Sequence, residues 1–491
     1  MSNLNRLVIV SNRLPVTIEC TPKGININPS SGGLVAALLP LFKAVGGVWI
    51  GWPGTDYAPE IDSALRTECA SDSSFEPVFL TPPEMAHFYN GCCNEIVWPL
   101  FHDLQSRCNF NPVHWSVYRD VNEKFADAVE RTTRRDDFVW VHDYQLMMLA
   151  DCLRARGVHS MLAYFHHIPF PPADVFEKLP WRKEVLRGLL QFNRLGFQTD
   201  RDRRNFVASL RRCLGSIKVR RRGDKFVVAA EGRHVEIATF PISIDFQALS
   251  ADADRPQVKQ RVQEIRRKVG EQSLVLGVDR LDFTKGISQR LIAFRTLLEN
   301  RPELRGRVTL VQLIVPSREQ ITTYRECRAE VEKLVSQING EFGRPGWSPV
   351  NYLHRHVSRE ELLALYGAAD VALVTPLKDG MNLVAKEFCA ARNDERGVLV
   401  LSEFAGAAAE LHPGALLINP YDAEGLASAL HQALKMPAEE QKIRMKKMRQ
   451  IIRGHDVFTW CRSICGHLAV KKDHSELVLS TSEAQTLAQA V

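Results

Sequence analysis

The sequence predicts an α/β protein built from two parallel-sheet domains. The chain has 491 residues, and a single hydrophobic core rarely extends beyond about 250–300 residues. Short apolar runs typical of buried strands alternate with helical segments in both halves of the chain. Six polar clusters each follow a β run, and the carboxyl ends of parallel strands share the sheet edge where ligands bind. We therefore expect two sheets whose ligand-binding edges face each other across one cleft.

The first domain is expected to span residues 1–243. Five apolar runs predict its strands, at residues 7–10, 47–50, 138–141, 161–165 and 195–198. The apolar pattern predicts helices over residues 34–44, 122–133 and 145–156. Pro40 should kink or shorten the first of these helices. The region from 54 to 121 is less regular.

The same alternation restarts after residue 243, and residues 244–456 are expected to form the second domain. Its strands are predicted at residues 274–278, 308–314, 371–374 and 398–401. A terminal helix over residues 457–475 is expected to pack back on the first domain. The polar tail over residues 476–491 is expected to be disordered.

Composition argues against several classes of protein. The net charge of +6 is small for this length and is no nucleic-acid signature. The basic segment 201–225 lacks interleaved aromatic residues, so we expect a solvated basic face and no nucleic-acid partner. No apolar run approaches the ~20 residues of a membrane span, and we expect no membrane partner. Eleven cysteines without a C-x-x-C pair and no evident signal peptide favour a reducing cytoplasm.

The stretch from Asp379 to Glu387 predicts an anion site. It follows the apolar strand 371–374 and opens a helix for which Asn382 is a plausible N-cap. A helix N-terminus offers free backbone N–H groups to an anion. The two acids, one before the helix and one within it, suit hydroxyl groups of a ribose and a sugar. Taken alone, the stretch also fits a strand, a turn and a helix with ordinary capping acids.

Four cations add a second line of evidence. Arg280 and Lys285 lie on one strand-to-helix turn, where they can neutralise charge that builds on a leaving diphosphate. The alternative is that they form internal salt bridges with Asp279 and Asp282. Arg13 and Arg318 lie on opposite halves and suit a second, separate phosphate, unless Arg318 only pairs with a neighbouring acid such as Glu319.

The sequence contains neither a P-loop nor a G-x-G-x-x-G fingerprint. Two D-x-D triplets, at residues 200–202 and 252–254, could in principle hold a divalent cation. We interpret both as capping acids and expect neither a metal nor any other cofactor. Two strand-end histidines, His142 and His167, differ in context: we expect a ligand contact for His167, and for His142 only an ordinary hydrogen-bonded position.

These residues resemble trehalose-6-phosphate synthases, which are retaining glucosyltransferases of the GT-B type. The resemblance extends from residue 11 to about residue 460. It rests on Ser11-Asn12-Arg13, Gly32-Gly33-Leu34, Trp52, Tyr89-Asn90, Trp98-Pro99, Val141 to Tyr144, His167 to Pro171, Leu195 to Thr199, Arg280-Leu281-Asp282, Lys285-Gly286, Ser317-Arg318 and Asp379 to Glu387. It implies two Rossmann-like, doubly wound parallel-sheet domains that face each other across a cleft.

The resemblance also implies roles for individual residues. The acceptor, glucose 6-phosphate, would be bound by Arg13, Trp52, Tyr89, Trp98, Asp143 and Arg318. The donor, UDP-glucose, would be bound by Gly32, Gly33, His167, Arg280, Lys285, Val357, Asp379, Gly380, Met381, Asn382, Leu383, Val384, Ala385, Lys386 and Glu387. The catalytic residues among them would be His167, Arg280, Lys285 and Asp379.

In the family the acceptor hydroxyl attacks from the side of the leaving group, and a diphosphate oxygen takes its proton. We expect a cytoplasmic enzyme that makes trehalose 6-phosphate and UDP, forms a homo-oligomer (a dimer or a tetramer) and precedes a trehalose-6-phosphate phosphatase. The alternatives are an enzyme that uses glycerol 3-phosphate as acceptor, and a catalytically silent sugar-phosphate sensor on the same fold.

Overall fold

Two large β-sheets organise the chain. The computed structural model describes residues 6–21, 24–29, 33–67, 73–215, 217–230, 232–318 and 320–466. The first sheet has nine strands and the second has six, and a separate hairpin makes a third, two-stranded sheet. The strands are β1 Leu7–Arg13, β2 Val16–Thr21, β3 Gly24–Pro29, β4 Gly47–Trp52, β5 Ser73–Pro77, β6 Phe138–His142, β7 Met161–His166, β8 Arg194–Phe197, β9 Lys218–Arg222, β10 Lys225–Ala230, β11 Arg233–Thr239, β12 Ser273–Arg280, β13 Val308–Val315, β14 Val350–His354, β15 Val371–Val374, β16 Val398–Ser402 and β17 Leu416–Ile418.

The nine-stranded sheet has the order β5-β4-β1-β6-β7-β8-β11-β10-β9. The strands from β5 to β11 in this order pair in parallel, and β10 and β9 extend the sheet as antiparallel strands. After β1 the chain moves first to β4 on one side and later to β6 on the other. The point between β1 and β6 is therefore a topological switch point, where ligands bind in open α/β sheets.

The six-stranded sheet is parallel throughout and has the order β14-β13-β12-β15-β16-β17. Its first strand in the chain, β12, lies beside β13 on one side and β15 on the other. The second switch point therefore lies between β12 and β15. Two doubly wound parallel sheets of this kind confirm the predicted fold class.

Helices of very different lengths connect the strands. They are α1 Gly33–Val45, α2 Pro59–Thr67, α3 Pro82–Glu84, α4 Trp98–Phe101, α5 Pro112–Thr132, α6 Leu149–Ala155, α7 Ala173–Phe176, α8 Arg182–Leu189, α9 Asp200–Leu214, α10 Phe246–Ala253, α11 Pro256–Val269, α12 Ile287–Asn300, α13 Thr322–Phe342, α14 Arg359–Ala368, α15 Leu383–Ala391, α16 Ala408–Leu411, α17 Ala423–Lys435, α18 Ala438–Gly454 and α19 Val457–Cys465. A π-helix, Met85–Val97, joins α3 to α4. None of the described helices is both long and apolar enough to cross a membrane.

Both faces of each sheet are buried. Along β1, Ile9 contributes to one hydrophobic core and Val10 to another, as the alternation of side chains along a strand requires. Along β12, Leu276 joins the same core as Ile9, whereas Val275 joins a third core. One continuous core thus links the two sheets on the side opposite their separate outer cores.

The segment that joins the two sheets is held by a later helix. It runs from the end of β11 at Thr239 to the start of β12, and the predicted domain boundary falls within it. The indole of Trp460 in α19 donates to the carbonyl of Phe240 (3.1 Å) and packs against Trp140 with ring centroids 5.0 Å apart. The helix α19 therefore lies against the first sheet. The remainder of the expected terminal helix, 467–475, and the tail lie outside the described residues.

The region from 54 to 121 is more regular than its sequence indicates. It contains α2, β5, the π-helix and the first half of α5, which begins at Pro112 behind an Asn111 cap (Asn111 Oδ1 accepts from Val113 N, 2.9 Å). The predicted helix 145–156 is instead a 3-10 turn, Tyr144–Leu146, followed by α6. The π-helix has i→i+5 hydrogen bonds and a wider turn than an α-helix, so apolar residues along it do not repeat with the helical period of 3.6.

Candidate active site

The two switch points bring polar residues from both sheets to one cleft. Arg13 ends β1 and Asp143 directly follows β6, on either side of the first switch point. Arg280 ends β12 and Asp379 follows β15, on either side of the second. Four of the six clusters predicted from the sequence therefore lie at the positions where open α/β sheets bind ligands.

Aromatic rings of the first half line one side of the cleft. The register places Arg13 beside Trp52, and its guanidinium lies over the Trp52 ring at 5.0 Å from the centroid. Tyr89 lies on the π-helix, and Trp98 begins α4 immediately after it. An indole and a guanidinium in this arrangement attract each other and offer a flat apolar face next to a cation.

Arg318 reaches this aromatic side from the second half. Its guanidinium lies 4.5 Å from the Trp98 ring, donates to the Tyr324 hydroxyl (2.6 Å) and pairs with Asp282 (3.4 Å). The side chain is only 8% exposed, so its charge depends on these partners. The backbone of Arg318 has a φ of +53°, a left-handed conformation that is uncommon outside glycine.

Tyr89 reports a strong positive potential at this place. Burial raises the pKa of its phenol, but the charges of Arg318, Arg280 and Arg13 outweigh burial and leave the pKa below its ordinary value. These arginines come from both sheets. Three guanidinium groups acting on one phenol mark a site for an anion such as a phosphate.

Asp143 occupies a strained position between the sheet and the cleft. Its φ is +75° and its ψ is 171°, a region essentially restricted to glycine. Its N–H donates to Phe165 O (2.8 Å), and its Oδ1 accepts from the N–H of His167 (3.1 Å). Burial raises the pKa of this carboxyl to about 7 against the opposing effect of these backbone donors and of Arg318. The carboxyl group is thus held where it can accept a hydrogen bond from a hydroxyl group.

An ion pair joins the two turns of the second sheet. Lys285 Nζ lies 2.6 Å from Asp379 Oδ2, and Asn382 Nδ2 donates to the same oxygen (3.1 Å). Burial raises the pKa of Asp379, but the Lys285 ammonium outweighs burial and leaves the pKa below its ordinary value. The ammonium is therefore held beside the N-terminus of α15, where an anion would bind.

Asn382 is the N-cap of α15, as the sequence predicts. Its side chain accepts from Ala385 N (3.4 Å), and its own φ is +76°. Leu383 and Val384 are the first two helical residues, and their backbone N–H groups have no place in the helical ladder. Gly380 and Met381, which precede the cap, are both buried.

Two predicted donor residues are engaged in unexpected ways. The Lys386 side chain is 1% exposed, pairs with Glu410 (2.5 Å) and donates to the carbonyl of Ile242 (2.8 Å) in the segment between the sheets. Its ammonium is taken up by these two partners, so only the backbone of Lys386 is placed to contribute to the predicted donor site. The Glu387 carboxylate accepts from the Tyr366 hydroxyl (2.9 Å), and burial raises its pKa. Val357 is partly buried and packs against the core that links the sheets.

The two halves touch across the cleft at glycines. A Cβ on Gly33 would lie 3.1 Å from the Leu383 side chain, and a Cβ on Gly380 would overlap the carbonyl oxygen of His167. A salt bridge between Lys378 and Asp103 (2.5 Å) lies nearby. Gly32, also predicted to bind the donor, lies outside the described residues.

Three residues of the site were given no ligand-binding role by the sequence. Asp282 balances the charge of Arg318. The neutral hydroxyl of Tyr324 accepts a hydrogen bond from the same guanidinium and holds it in place. Asp282 could have been found because it follows Arg280 in one turn. His102 packs against Trp98 with ring centroids 4.3 Å apart, and burial lowers its pKa to about 4; its sequence context carries no signal.

The alternative salt bridges, of Arg280 and Lys285 with Asp279 and Asp282, are not found among the ion pairs of the described residues. Asp279 pairs with the fully buried Arg290 (2.5 Å), which also donates to Gln312 Oε1 (3.0 Å) and Thr375 Oγ1 (3.1 Å). Lys285 pairs instead with Asp379. The predicted partner of Arg318 in the alternative reading, residue 319, lies outside the described residues.

The two D-x-D triplets are occupied by protein partners. In the first, Asp202 accepts from Thr199 Oγ1 (2.6 Å) and from Phe170 N (3.1 Å). In the second, Asp252 pairs with Arg255 (2.6 Å) and Arg359 (2.8 Å). Over the described ranges, no cluster of three or more His, Cys, Asp or Glu side chains is suited to hold a metal ion.

Known proteins resemble this chain over nearly its whole length. The model of Glycosyltransferase family 20 matches residues 5–470. A trehalose-6-phosphate synthase of Mycobacterium avium is 43% identical over 470 residues, which cover 94% of this chain and 95% of that protein. A trehalose-6-phosphate synthase of Mycolicibacterium smegmatis is 42% identical over 480 residues, which cover 96% of this chain and 93% of that protein.

Solved structures are similar in fold as well. An α,α-trehalose-phosphate synthase (UDP-forming) from Burkholderia xenovorans in complex with glucose-6-phosphate has a TM-score of 0.86 and 34% identity, and the match covers 94% of this chain and 100% of that one. A structure from E. coli bound with UDP-2-fluoro glucose has a TM-score of 0.86 and 35% identity, and covers 94% of this chain and 99% of that one.

The Lys285–Asp379 pair generates a prediction about stability. Lys285→Met should lower the urea midpoint at neutral pH, because it leaves a buried carboxylate unpaired, and breaking a buried pair costs about 3–5 kcal/mol. Adding Asp379→Asn should restore most of the loss, since the unpaired charge is then gone. Arg444→Met, which breaks the more exposed pair with Glu440, serves as control and should change stability by less than about 0.5 kcal/mol. A double variant no more stable than Lys285→Met alone would contradict this account.

Proposed function

We propose that this chain, which belongs to glycosyltransferase family 20, transfers glucose from UDP-glucose to glucose 6-phosphate and releases trehalose 6-phosphate and UDP. The observation that carries the proposal is the presence of two cationic sites, one on each side of a single cleft. A transfer from a nucleotide sugar to a sugar phosphate needs both sites, because each substrate brings its own phosphate. The named relatives act or bind accordingly: one is a UDP-forming synthase in complex with glucose-6-phosphate, and another is bound with UDP-2-fluoro glucose.

The donor is proposed to bind against the second sheet. The N-terminus of α15 would receive the diphosphate, because its first N–H groups are free to donate to an anion. Arg280 and Lys285 would neutralise the charge that grows on the diphosphate as the glycosidic bond breaks. Asp379 holds the Lys285 ammonium at 2.6 Å, so this cation is in place before the charge appears and costs no rearrangement at that moment.

The acceptor is proposed to bind against the first sheet. Its phosphate would lie among Arg13, Arg318 and Tyr89, where three arginines depress the pKa of the phenol. Its sugar ring would lie against the aromatic side chains, and Asp143 would accept a hydrogen bond from one of the sugar hydroxyl groups. A six-membered sugar ring fits a wall of Trp52, Trp98 and Tyr89 better than the three-carbon chain of glycerol 3-phosphate, because it offers more apolar area for aromatic rings to cover.

The transfer itself is proposed to retain the configuration of the donor carbon. The acceptor hydroxyl attacks from the side of the departing diphosphate, the glycosidic C–O bond breaks, and a diphosphate oxygen takes the proton of the hydroxyl. The protein positions the two substrates and stabilises the leaving group, and no side chain forms a covalent bond. A catalytically silent sensor would bind sugar phosphates without needing a lysine poised at the leaving group.

Further expectations from the sequence remain proposals. The nine cysteines whose side chains the structure describes, among them the buried Cys92 and Cys93, carry no disulfide, which fits a reducing cytoplasm. A homo-oligomeric state and a downstream trehalose-6-phosphate phosphatase rest on the family resemblance alone.

The function is tested by a matrix of nucleotide sugars and acceptors in which release of nucleoside diphosphate is followed. UDP release should require UDP-glucose and glucose 6-phosphate together, and the sugar product should be trehalose 6-phosphate. Lys285→Ala should lose ~10²–10³ of the turnover and serves as the control for contaminating activity. Release of UDP with glycerol 3-phosphate but not with glucose 6-phosphate would identify glycerol 3-phosphate as the acceptor. Binding of both substrates without release of UDP would favour the sensor.

Arg318 should act on the phosphate of the acceptor. A charge-assisted hydrogen bond contributes about 1.5–3 kcal/mol, so Arg318→Ala should raise the KM for glucose 6-phosphate roughly ten- to a hundredfold. The rate with unphosphorylated glucose and the affinity for UDP-glucose should change little. Arg325→Ala, on the exposed side of α13, is the control. If both acceptors are affected alike, Arg318 acts only through Trp98 and Asp282 and binds no phosphate.

We propose that the reaction needs no metal ion. Arg280, Lys285 and the N-terminus of α15 supply the positive charge that a divalent cation would provide. Activity in the presence of excess chelator should therefore stay close to that of the untreated protein. Activity lost on chelation and restored by magnesium or manganese would contradict this proposal and return attention to the triplets at 200–202 and 252–254.

A further inference from the structure

Two histidine rings meet beneath the proposed donor site. His142 is the last residue of β6, and His167 follows the neighbouring strand β7. His142 Nδ1 lies 3.0 Å from His167 Nε2, and the His142 side chain is fully buried. One proton must lie between these two nitrogens, because two bare lone pairs or two N–H groups at this distance would repel each other.

The second nitrogen of His142 decides which ring carries that proton. His142 Nε2 is buried and has no hydrogen-bond partner among the described residues. An N–H group there would be an orphaned buried donor, which is rarer in proteins than an unsatisfied acceptor. The proton of neutral His142 is therefore on Nδ1.

Trp140 strengthens this assignment. It precedes His142 by two residues on the same face of β6, and the two ring centroids are 4.6 Å apart. The Trp140 indole N–H is itself buried without a partner in the described part of the chain. An N–H on His142 Nε2 would be a second orphaned donor beside the first, whereas a bare Nε2 adds none.

We infer that His142 is a positioning residue: its Nδ1–H donates to His167 Nε2, and this bond fixes His167 as the tautomer that carries its own proton on Nδ1. His167 then presents an N–H donor to the cleft. The sequence assigned His142 no role beyond that of an ordinary strand-end histidine.

The contacts of His167 place this residue at the cleft. Its backbone N–H donates to Asp143 Oδ1, and its carbonyl lies against Gly380. Its ring packs edge-on against Phe165 and Trp460, with centroids 4.6 Å and 6.4 Å away. The ring is only partly buried, and Nδ1 has no partner among the described residues. Nδ1–H is the atom left for a ligand.

The inference narrows the chemistry of His167. A ring with Nε2 bonded to His142 and a proton on Nδ1 donates to an oxygen of the sugar or the diphosphate and cannot accept a proton from the acceptor. Burial lowers the pKa of His167 to about 3 and that of His142 well below its ordinary value, so both rings are neutral at neutral pH. The proton of the acceptor hydroxyl must then go elsewhere, as the diphosphate route requires.

The tautomers can be measured without any substrate. Protein labelled with ¹⁵N-histidine gives long-range ¹H–¹⁵N correlations that distinguish rings protonated on Nδ1 from rings protonated on Nε2. We expect both His142 and His167 to be protonated on Nδ1, with signals assigned by their loss in His142→Leu and His167→Ala. Protonation of either ring on Nε2 would overturn the inference. The inference rests on the proposed function only for the identity of the ligand, so this measurement stands even if the matrix of donors and acceptors fails.

A double-mutant cycle tests the consequence for the reaction. A hydrogen bond of this kind contributes about 0.5–1.5 kcal/mol, so His142→Leu should lower kcat/KM for UDP-glucose about two- to tenfold. In the His167→Ala background the same change should cost less than about twofold, because the partner is absent. The KM for glucose 6-phosphate should stay unchanged in each case.

A neighbouring histidine gives the matched control. His166 is as deeply buried, and it bonds to Tyr164 Oη (3.0 Å) and Pro169 O (3.3 Å), not to His167. His166→Asn should therefore have the same effect in both backgrounds. An equal loss for His142→Leu in both backgrounds would mean that His142 supports only the packing of β6, and the inference would be wrong.

Discussion

The buried charge of Arg318 is the constraint on which the proposed acceptor side of the cleft depends. A guanidinium that is 8% exposed is tolerated only with partners, and these come from both halves: Asp282 and Tyr324 from the second sheet, and the face of Trp98 from the first. The partners leave the potential positive, as the depressed pKa of Tyr89 indicates. The site is therefore built jointly by the two halves, because Arg318 comes from the second and Trp98 from the first.

Backbone strain is concentrated at the same cleft. Five described residues other than glycine have a positive φ, and four of them, Asp103, Asp143, Arg318 and Asn382, lie at the site or in the contacts that cross it. Each such conformation costs about 1–3 kcal/mol. Asp143 is held by two hydrogen bonds to the end of β7, with Phe165 O and His167 N, and Asn382 by its cap on α15. The free energy released by packing the two sheets stabilises these side chains in positions that the chain would not adopt alone.

The sequence predicted the architecture better than the roles of single side chains. Strand-end clusters such as Asp143 and Asp379 were found because the carboxyl ends of parallel strands share one edge, a property that sequence order alone carries. The contact of the Lys386 side chain with Ile242 O was not predicted, because no local pattern distinguishes this lysine from its neighbours in α15. His142 was passed over because its partner, 25 residues away, is set by strand register, which no local pattern encodes.

Helix α15 also links the proposed donor site to the segment between the sheets. Lys386 lies in the same helix whose N-terminus faces the proposed diphosphate, and its ammonium donates to Ile242 O, while Trp460 donates to Phe240 O. Helices α15 and α19 therefore hold neighbouring carbonyls of the same connecting segment. On the opposite side, Gly380 lies against His167 with no room for a Cβ. The first turn of α15 and the residues just before it are thus held from two sides, by Gly380 against His167 at the cleft and by the buried Lys386 against the connecting segment.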